Sequence, residues 1–192
     1  FYNFGIDGYK KIYKLHPKIF LDLKLHDIPN TVNKGLKAIL NIKPHFTTIH
    51  ISGGDQMQNI TYLYKNKKTK ILGVTILTSL NEKQTEKYYN ESKIKDLVKK
   101  YASYAKKNKL DGLVCSPLEI KIVRKVVGRK MILVVPGIRP QNNKSKKNDD
   151  QKRVLTPKEA ISLGADYLVI GRPIIESKNP LDALKKINKS IQ

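Results

Sequence analysis

The chain has 192 residues, of which 40% are hydrophobic, and its 38 Lys and Arg exceed its 16 Asp and Glu to give a formal net charge of +22. This length suits one compact domain, and the regular return of apolar blocks excludes a disordered polycation. The one cysteine, Cys115, excludes an internal disulfide framework and suits a reducing compartment, so we expect a cytoplasmic protein. Apolar runs such as 131–135 are far shorter than the roughly 20 residues of a membrane-spanning helix.

The positive charge has two interpretations. Its densest clusters, 65–70 and 142–152, contain no aromatic side chain on which a base could stack. A lysine-rich composition spread over solvated helix faces therefore explains the charge better than a specific nucleic-acid site does, and we expect neither a nucleic-acid partner nor a membrane partner. The positive charge should still attract anionic small molecules in general.

Strand-like and helix-like segments alternate along the chain. Short β-branched or apolar runs predict strands over 19–23, 46–51, 70–77, 112–116, 131–138 and 166–171. Amphipathic patterns predict helices over 30–42, 55–66, 92–108, 118–127, 156–164 and 180–191. Asn30 and Thr156 fit helix N-caps, and Gly164 fits a helix end. Near-continuous apolar strands that alternate with helices predict a parallel α/β fold, either a closed barrel or an open doubly wound sheet.

The carboxyl end of the first predicted strand carries charged residues. Asp22 and Lys24 are two residues apart, so on a regular strand both side chains point to one face, and Asp27 follows in the next loop. Taken alone, an Asp-x-Lys pair is better explained by a structural ion pair than by catalysis. The segments that follow favour the catalytic interpretation.

The segment FLDLKLHDIPNT (20–31) contains the complete pattern D-x-K-x-x-D-I-P-N-T, and further blocks follow it in a fixed order. These blocks are VTILTS (74–79), DGLVCS (111–116), PGIRPQ (136–141), DQKRVLTP (150–157) and YLVIGRPI (167–174). Together they resemble the orotidine 5′-phosphate decarboxylase family over essentially the whole chain.

The resemblance implies a (β/α)₈ TIM barrel that converts orotidine 5′-monophosphate (OMP) to UMP and CO₂ in pyrimidine synthesis, without a metal or an organic cofactor. It implies that Lys24 is the general acid and that Asp22 lies beside the departing carboxylate. It also implies that Asp27, with Thr31, serves the neighbouring subunit of a homodimer. An ammonium held near C6 of the pyrimidine suits this chemistry, because it can stabilise the developing charge and then supply a proton.

The substrate phosphate is expected at the last two strand ends, where barrels frequently bind phosphate. Arg172 offers a planar donor fork there, and Gly171 a backbone N–H that a ligand can approach. The resemblance adds Arg139 and Gln151 to the phosphate site and places Thr78 at the pyrimidine. The lysine-rich segment 141–152 is a candidate lid over the phosphate, with a plain surface loop as the alternative.

The chain departs from the family in one respect. Family members have two further strands before the equivalent of Phe1, the first ending in an Asp and the second in a Lys. We therefore expect residues 1–192 to be one barrel domain made of strands three to eight. Because six strands cannot close a barrel, we expect this polypeptide alone to be poorly soluble and inactive.

Two other functions remain open. A metal-dependent hexulose-phosphate synthase-like barrel shares the D-x-K-x-x-D row, although DIPNT and PGIRP argue against it. An inactive basic barrel that binds phosphate or nucleic acid is the second alternative, and a fusion to a phosphoribosyltransferase domain upstream is also open. His26 and His50 lack the paired spacing of a metal site, and Cys115 has no neighbouring base, so we assign none of these three a role.

Overall fold

A computed structural model describes residues 1–64, 68–140 and 155–192. This part of the chain forms two compact units, Phe1–Val74 with Tyr104–Gly112, and Thr75–Ser103 with Leu113–Gln192. Strands and helices alternate in both units. The strand Phe46–His50 pairs in parallel with Phe20–Leu25 and with Lys70–Val74, and Ile132–Pro136 pairs in parallel with Tyr167–Val169. The prediction of a parallel α/β fold is confirmed. The candidate lid at 141–152 lies outside the described residues.

The first unit is built on three neighbouring strands. In chain order it contains α1 (Gly5–Leu15), β1 (Phe20–Leu25), α2 (Pro29–Asn41), β2 (Phe46–His50), α3 (Gly54–Asn59) and β3 (Lys70–Val74). The strands lie in the order β1-β2-β3, with Phe46 paired to Phe20 on one side and to Lys70 on the other. The central strand β2 is buried from Phe46 to Ile49, as the near-continuous apolar run predicts for a parallel sheet.

Helix α2 covers this sheet through one apolar face. Its buried residues Val32, Leu36 and Ile39 recur at helical spacing. Gly73 of β3 marks the tightest packing, because a Cβ there would lie 2.8 Å from side-chain atoms of Ile51 and of Leu110. A residue without a side chain is therefore required at this point of the strand.

The second unit is also built on three neighbouring strands. In chain order it contains α4 (Glu82–Tyr89), most of α5 (Ile94–Lys107), β4 (Gly112–Val114), α6 (Ile120–Val127), β5 (Ile132–Pro136), α7 (Pro157–Leu163), β6 (Tyr167–Val169), α8 (Arg172–Ile175) and α9 (Pro180–Ser190). The strand order is β4-β5-β6, and Pro136 is paired with Val169. Leu133 of β5, Val123 of α6 and Ala160 of α7 are fully buried, so helices cover this sheet as well.

Each predicted strand and helix has a counterpart at the expected place, but some details differ. Asn30 is not an N-cap, because α2 already begins at Pro29. Thr156 does cap α7, in a reciprocal capping box with Glu159, and Gly164 ends that helix at a φ of 112°. The helices α1, α4 and α8 are not among the predicted segments. Within the three described ranges, no helix is long and apolar enough to cross a bilayer.

Candidate active site

Asp22 and Lys24 form an ion pair at the end of β1. The Lys24 Nζ lies 2.5 Å from Oδ2 of Asp22, and the side chains of Lys24 and Asp22 are 38% and 34% exposed. The pair is thus accessible to a ligand. The structure brings together the two residues that the sequence singled out for proton transfer and charge.

A third residue, Thr48 of β2, forms hydrogen bonds to both members of this pair. Its hydroxyl donates to Oδ1 of Asp22 at 2.6 Å and accepts the backbone N–H of Lys24 at 2.9 Å. Thr48 is fully buried. No local pattern marks Thr48, because a Thr within FTTIHI is typical of any β-branched strand, and its partners lie 24 and 26 residues away.

The backbone of β1 is irregular where it carries the pair. Leu21 is paired with Thr47 and Leu25 with Ile49, so four residue steps on β1 lie against two on β2. Within this bulge Lys24 has a φ of 50°, in the left-handed region that side chains disfavour. The simple alternation of a regular strand, on which the shared face of Asp22 and Lys24 was predicted, therefore does not apply here. The irregular backbone of the bulge brings the two side chains into contact instead.

Asp27 lies apart from this pair. It is exposed, and its carboxylate accepts the backbone N–H of Ile28 at 2.7 Å just before α2. Thr31 is exposed in the first turn of α2. Among the described residues no ion pair joins Asp27 to Lys24, so the structure has one Asp-Lys pair here and one carboxylate outside it.

Two histidines lie near the pair, although their spacing in the sequence predicts no role for them. The rings of His26 and His50 are 5.1 Å apart between centroids, and Ser52 Oγ is 3.4 Å from Nε2 of His26. Burial lowers the pKa of His50, and the charges of His26 and Lys24 lower it further, against an opposing effect of Asp22. His50 is therefore biased towards its neutral form beside the Lys24 ammonium.

The second unit presents two arginines after neighbouring strands. Beyond the paired residues Pro136 and Val169, Arg139 and Arg172 each follow three residues later, at the same edge of the parallel strands. Arg139 is buried, and its backbone N–H donates to the carbonyl of Leu155 at 3.0 Å. Arg172 is exposed. This edge therefore carries one buried and one exposed arginine.

The residues that directly follow these arginines, Pro140 and Pro173, border a cavity of about 460 Å³, although the arginines themselves do not line it. Its lining also includes Lys158 and Lys186. Gly171 precedes α8, and a Cβ added there would meet no atom within 4 Å, so a ligand has room at its backbone.

Thr78 lies half-buried in a turn closed by the hydrogen bond from the Leu80 N–H to the Leu77 carbonyl, 3.0 Å long. Gln151 lies outside the described residues. Over the described part of the chain, no three His, Cys, Asp or Glu side chains are grouped to hold a metal ion. Cys115 is buried, and burial followed by the charge of Glu119 raises the pKa of its thiol far above the usual range.

Comparisons with known proteins agree with the motifs. Residues 1–187 match the sequence profile of the "Orotidine 5'-phosphate decarboxylase / HUMPS family". The chain is 44% identical over 188 residues to an orotidine 5′-phosphate decarboxylase of Wolbachia pipientis subsp. Culex pipiens, covering 97% of this chain and 81% of that protein. It is 43% identical over 193 residues to the decarboxylase of Carboxydothermus hydrogenoformans, covering 97% and 79%. The crystal structure of the Lactobacillus acidophilus decarboxylase superposes with a TM-score of 0.81 at 36% identity, covering 98% and 81%.

Proposed function

The chain belongs to the orotidine 5′-phosphate decarboxylase / HUMPS family, and from that premise we propose that the protein decarboxylates OMP to UMP and CO₂ in pyrimidine synthesis. The observation that carries the proposal is the ion pair of Lys24 and Asp22, 2.5 Å apart and open to a ligand at a strand end. The curated relatives with 43–44% identity bear the name of this decarboxylase.

The proposed reaction uses the pair in two ways. The bond from C6 of the pyrimidine to its carboxylate breaks, CO₂ leaves, and the electron pair stays on C6. The Lys24 ammonium stabilises that charge and then transfers a proton to C6, which gives UMP. Asp22 lies beside the departing carboxylate, so the repulsion between two anions falls as neutral CO₂ forms. Both roles depend on the fixed placement of the Lys24 amine.

The phosphate of OMP is proposed to bind at the arginine edge of the second unit. Arg172 is exposed and offers two parallel N–H donors. Arg139 follows the neighbouring strand, three residues after the paired Pro136, as Arg172 follows Val169. Gly171 supplies a backbone N–H, and the space that a Cβ would occupy at this residue is open. We also assign Gln151 to the phosphate and Thr78 to the pyrimidine, on the family motifs alone.

Asp27 and Thr31 are proposed to act across a homodimer interface, in a protein that works in the cytoplasm. Both are exposed, and Asp27 makes a local bond rather than joining Lys24. If Asp27 serves the partner's site, mixing inactive Lys24→Ala and Asp27→Ala variants creates one intact site in each mixed dimer. About a quarter of wild-type activity should then return on random exchange of subunits. Variants that stay inactive after verified exchange would exclude this arrangement.

We further propose that the catalytic form is a single eight-stranded barrel to which β1–β6 contribute six strands. The strand β6 exposes Tyr167 by 44% and Val169 by 40%, as an apolar edge does when a neighbouring strand is to cover it. The chain spans about four-fifths of the length of its curated relatives. Residues 1–192 expressed alone should accordingly be poorly soluble and inactive, and a monodisperse, active 192-residue polypeptide would contradict this proposal.

The proposed function is tested by following the loss of orotate absorbance with OMP and the full-length gene product that contains this chain, in the presence of a chelator. Turnover that is indifferent to the chelator is expected. Activity that disappears on chelation and returns with a divalent metal ion would favour the metal-dependent aldolase alternative. A folded protein without turnover that binds nucleic acid with steep salt dependence would favour the basic-binder alternative.

A further inference from the structure

We infer that Thr48 is a positioning residue for the proton-donating amine of Lys24, acting through both the main chain of Lys24 and the carboxylate of Asp22. This inference rests on the proposed decarboxylase function. Thr48 lies in the centre of the first unit on β2, fully buried, and nothing in its sequence context marks it.

The hydroxyl of Thr48 has its hydrogen-bonding roles fixed by its two partners. The N–H of Lys24 can only donate, at 2.9 Å, so Thr48 Oγ1 accepts there. The Thr48 hydroxyl therefore uses its single proton to donate a hydrogen bond to Oδ1 of Asp22, at 2.6 Å. The other oxygen of that carboxylate takes the Lys24 amine at 2.5 Å. The four groups form a closed ring in which one buried hydroxyl fixes the orientation of the carboxylate that receives the ammonium.

The same hydroxyl supports an unfavourable backbone conformation. Lys24 has a φ of 50° inside the bulge between Leu21 and Leu25, where the regular ladder with β2 is interrupted. A backbone N–H displaced from the ladder needs another acceptor, and Thr48 supplies it from the facing strand. Backbone strain of this kind persists where surrounding contacts hold it, and it is frequent at functional sites. Without the hydroxyl, the Lys24 main chain loses the contact that holds it in this conformation.

The neighbouring residue Thr47 provides a matched control. Both threonines lie on β2 and are fully buried, and alternation along the strand turns them to opposite faces. Across the described ranges, the Thr47 hydroxyl has no hydrogen-bond partner. Thr47→Val and Thr48→Val therefore remove the same atom from adjacent buried positions, and only Thr48→Val breaks the connection to the ion pair.

The kinetic test measures kcat and KM for OMP in the full-length gene product and its variants. Thr48→Val should lower kcat by about 10- to 100-fold, because a small misplacement of a reacting group is costly, while KM changes little because the phosphate-binding groups are untouched. Thr48→Ser restores the hydroxyl and should recover most of kcat, and Thr47→Val should resemble the wild type. A kcat for Thr48→Val equal to that of Thr47→Val, or no recovery in Thr48→Ser, would overturn the inference.

Crystal structures of the two valine variants separate this inference from the proposed function. In Thr48→Val the Lys24 φ should leave the left-handed region or the amine should move off Asp22, whereas Thr47→Val should keep both features. If the wild type does not turn over OMP, the proposed function fails, and this comparison still decides on Thr48. Unchanged geometry in Thr48→Val would overturn the positioning role. If Thr48→Val does not fold, Thr48→Cys, with a weak S–H donor of similar size, replaces it in both arms.

Discussion

Arg124 links four places of the second unit, and its removal should have a large effect on stability. From α6 its Nε donates to the Gly164 carbonyl at 2.8 Å, and Nη1 donates to the carbonyls of Gly128 at 2.8 Å and Met131 at 2.6 Å. Nη2 pairs with the carboxylate of Asp166. We predict that Arg124→Ala lowers the free energy of unfolding markedly, because one side chain satisfies all of these groups.

The magnitude follows from the burial of each partner. The Arg124 side chain is only 9% exposed, so its three bonds to carbonyls are worth about 1 kcal/mol each even though some of these acceptors remain open to water. The Asp166 side chain is 38% exposed, so the ion pair itself adds only about 0–1 kcal/mol. The expected loss for Arg124→Ala is thus about 3–4 kcal/mol.

Urea unfolding of the full-length gene product, followed by circular dichroism, measures this loss. Lys125→Ala is the matched control, because Lys125 is an exposed cation on the same helix. Arg124→Lys keeps a charge but cannot reach several acceptors at once, so we expect it to lower the free energy of unfolding by about 2 kcal/mol. An Arg124→Ala variant within about 1 kcal/mol of the Lys125→Ala variant would refute the reasoning.

Three further predictions concern buried groups. The fold lowers the pKa of His50 from its ordinary value of about 6.5, so below that pH the unfolded chain takes up a proton that the folded chain does not. The free energy of unfolding should therefore fall as the pH drops below about 6.5. His50→Gln should flatten this pH dependence when unfolding is measured at several pH values. Because burial raises the pKa of the Cys115 thiol, it should resist a thiol reagent at pH 7.5 in the native protein and react in denaturant; equal rates in the two states would contradict its burial. Gly73→Ala should cost about 1–3 kcal/mol in urea unfolding, because its Cβ would lie 2.8 Å from Ile51 and Leu110; unchanged stability would show that the strand relaxes freely.

The order of strands and helices could be predicted from the sequence because each apolar run and each amphipathic run is a local pattern. The helix α4 was missed because EKQTEKYY has no apolar stripe, and its stability comes instead from the capping box of Asn81 and Gln84. The wrong N-cap at Asn30 shows the limit of local signals at a boundary, since Pro29 can itself take the first helical position.

The candidate site was predictable only in part, for a different physical reason. The motif placed Asp22 and Lys24 near each other, and the structure shows the contact. The left-handed backbone of Lys24 and the buried support from Thr48 depend on pairing between distant strands, which no local pattern encodes. Likewise, the two arginines proposed for the phosphate look alike in sequence, whereas Arg139 is buried in the structure and Arg172 is exposed.

The role of Lys24 is tested most directly by kcat for OMP in Lys24→Ala beside Lys70→Ala, both in the full-length gene product. Lys70 is the matched control, because its Nζ lies 3.2 Å from Asp111 in another half-exposed Lys-Asp pair of the same unit. Loss of the proton donor should lower kcat by at least about 100-fold in Lys24→Ala, while Lys70→Ala keeps the wild-type value. Equal kcat values in the two variants would contradict proton transfer from Lys24.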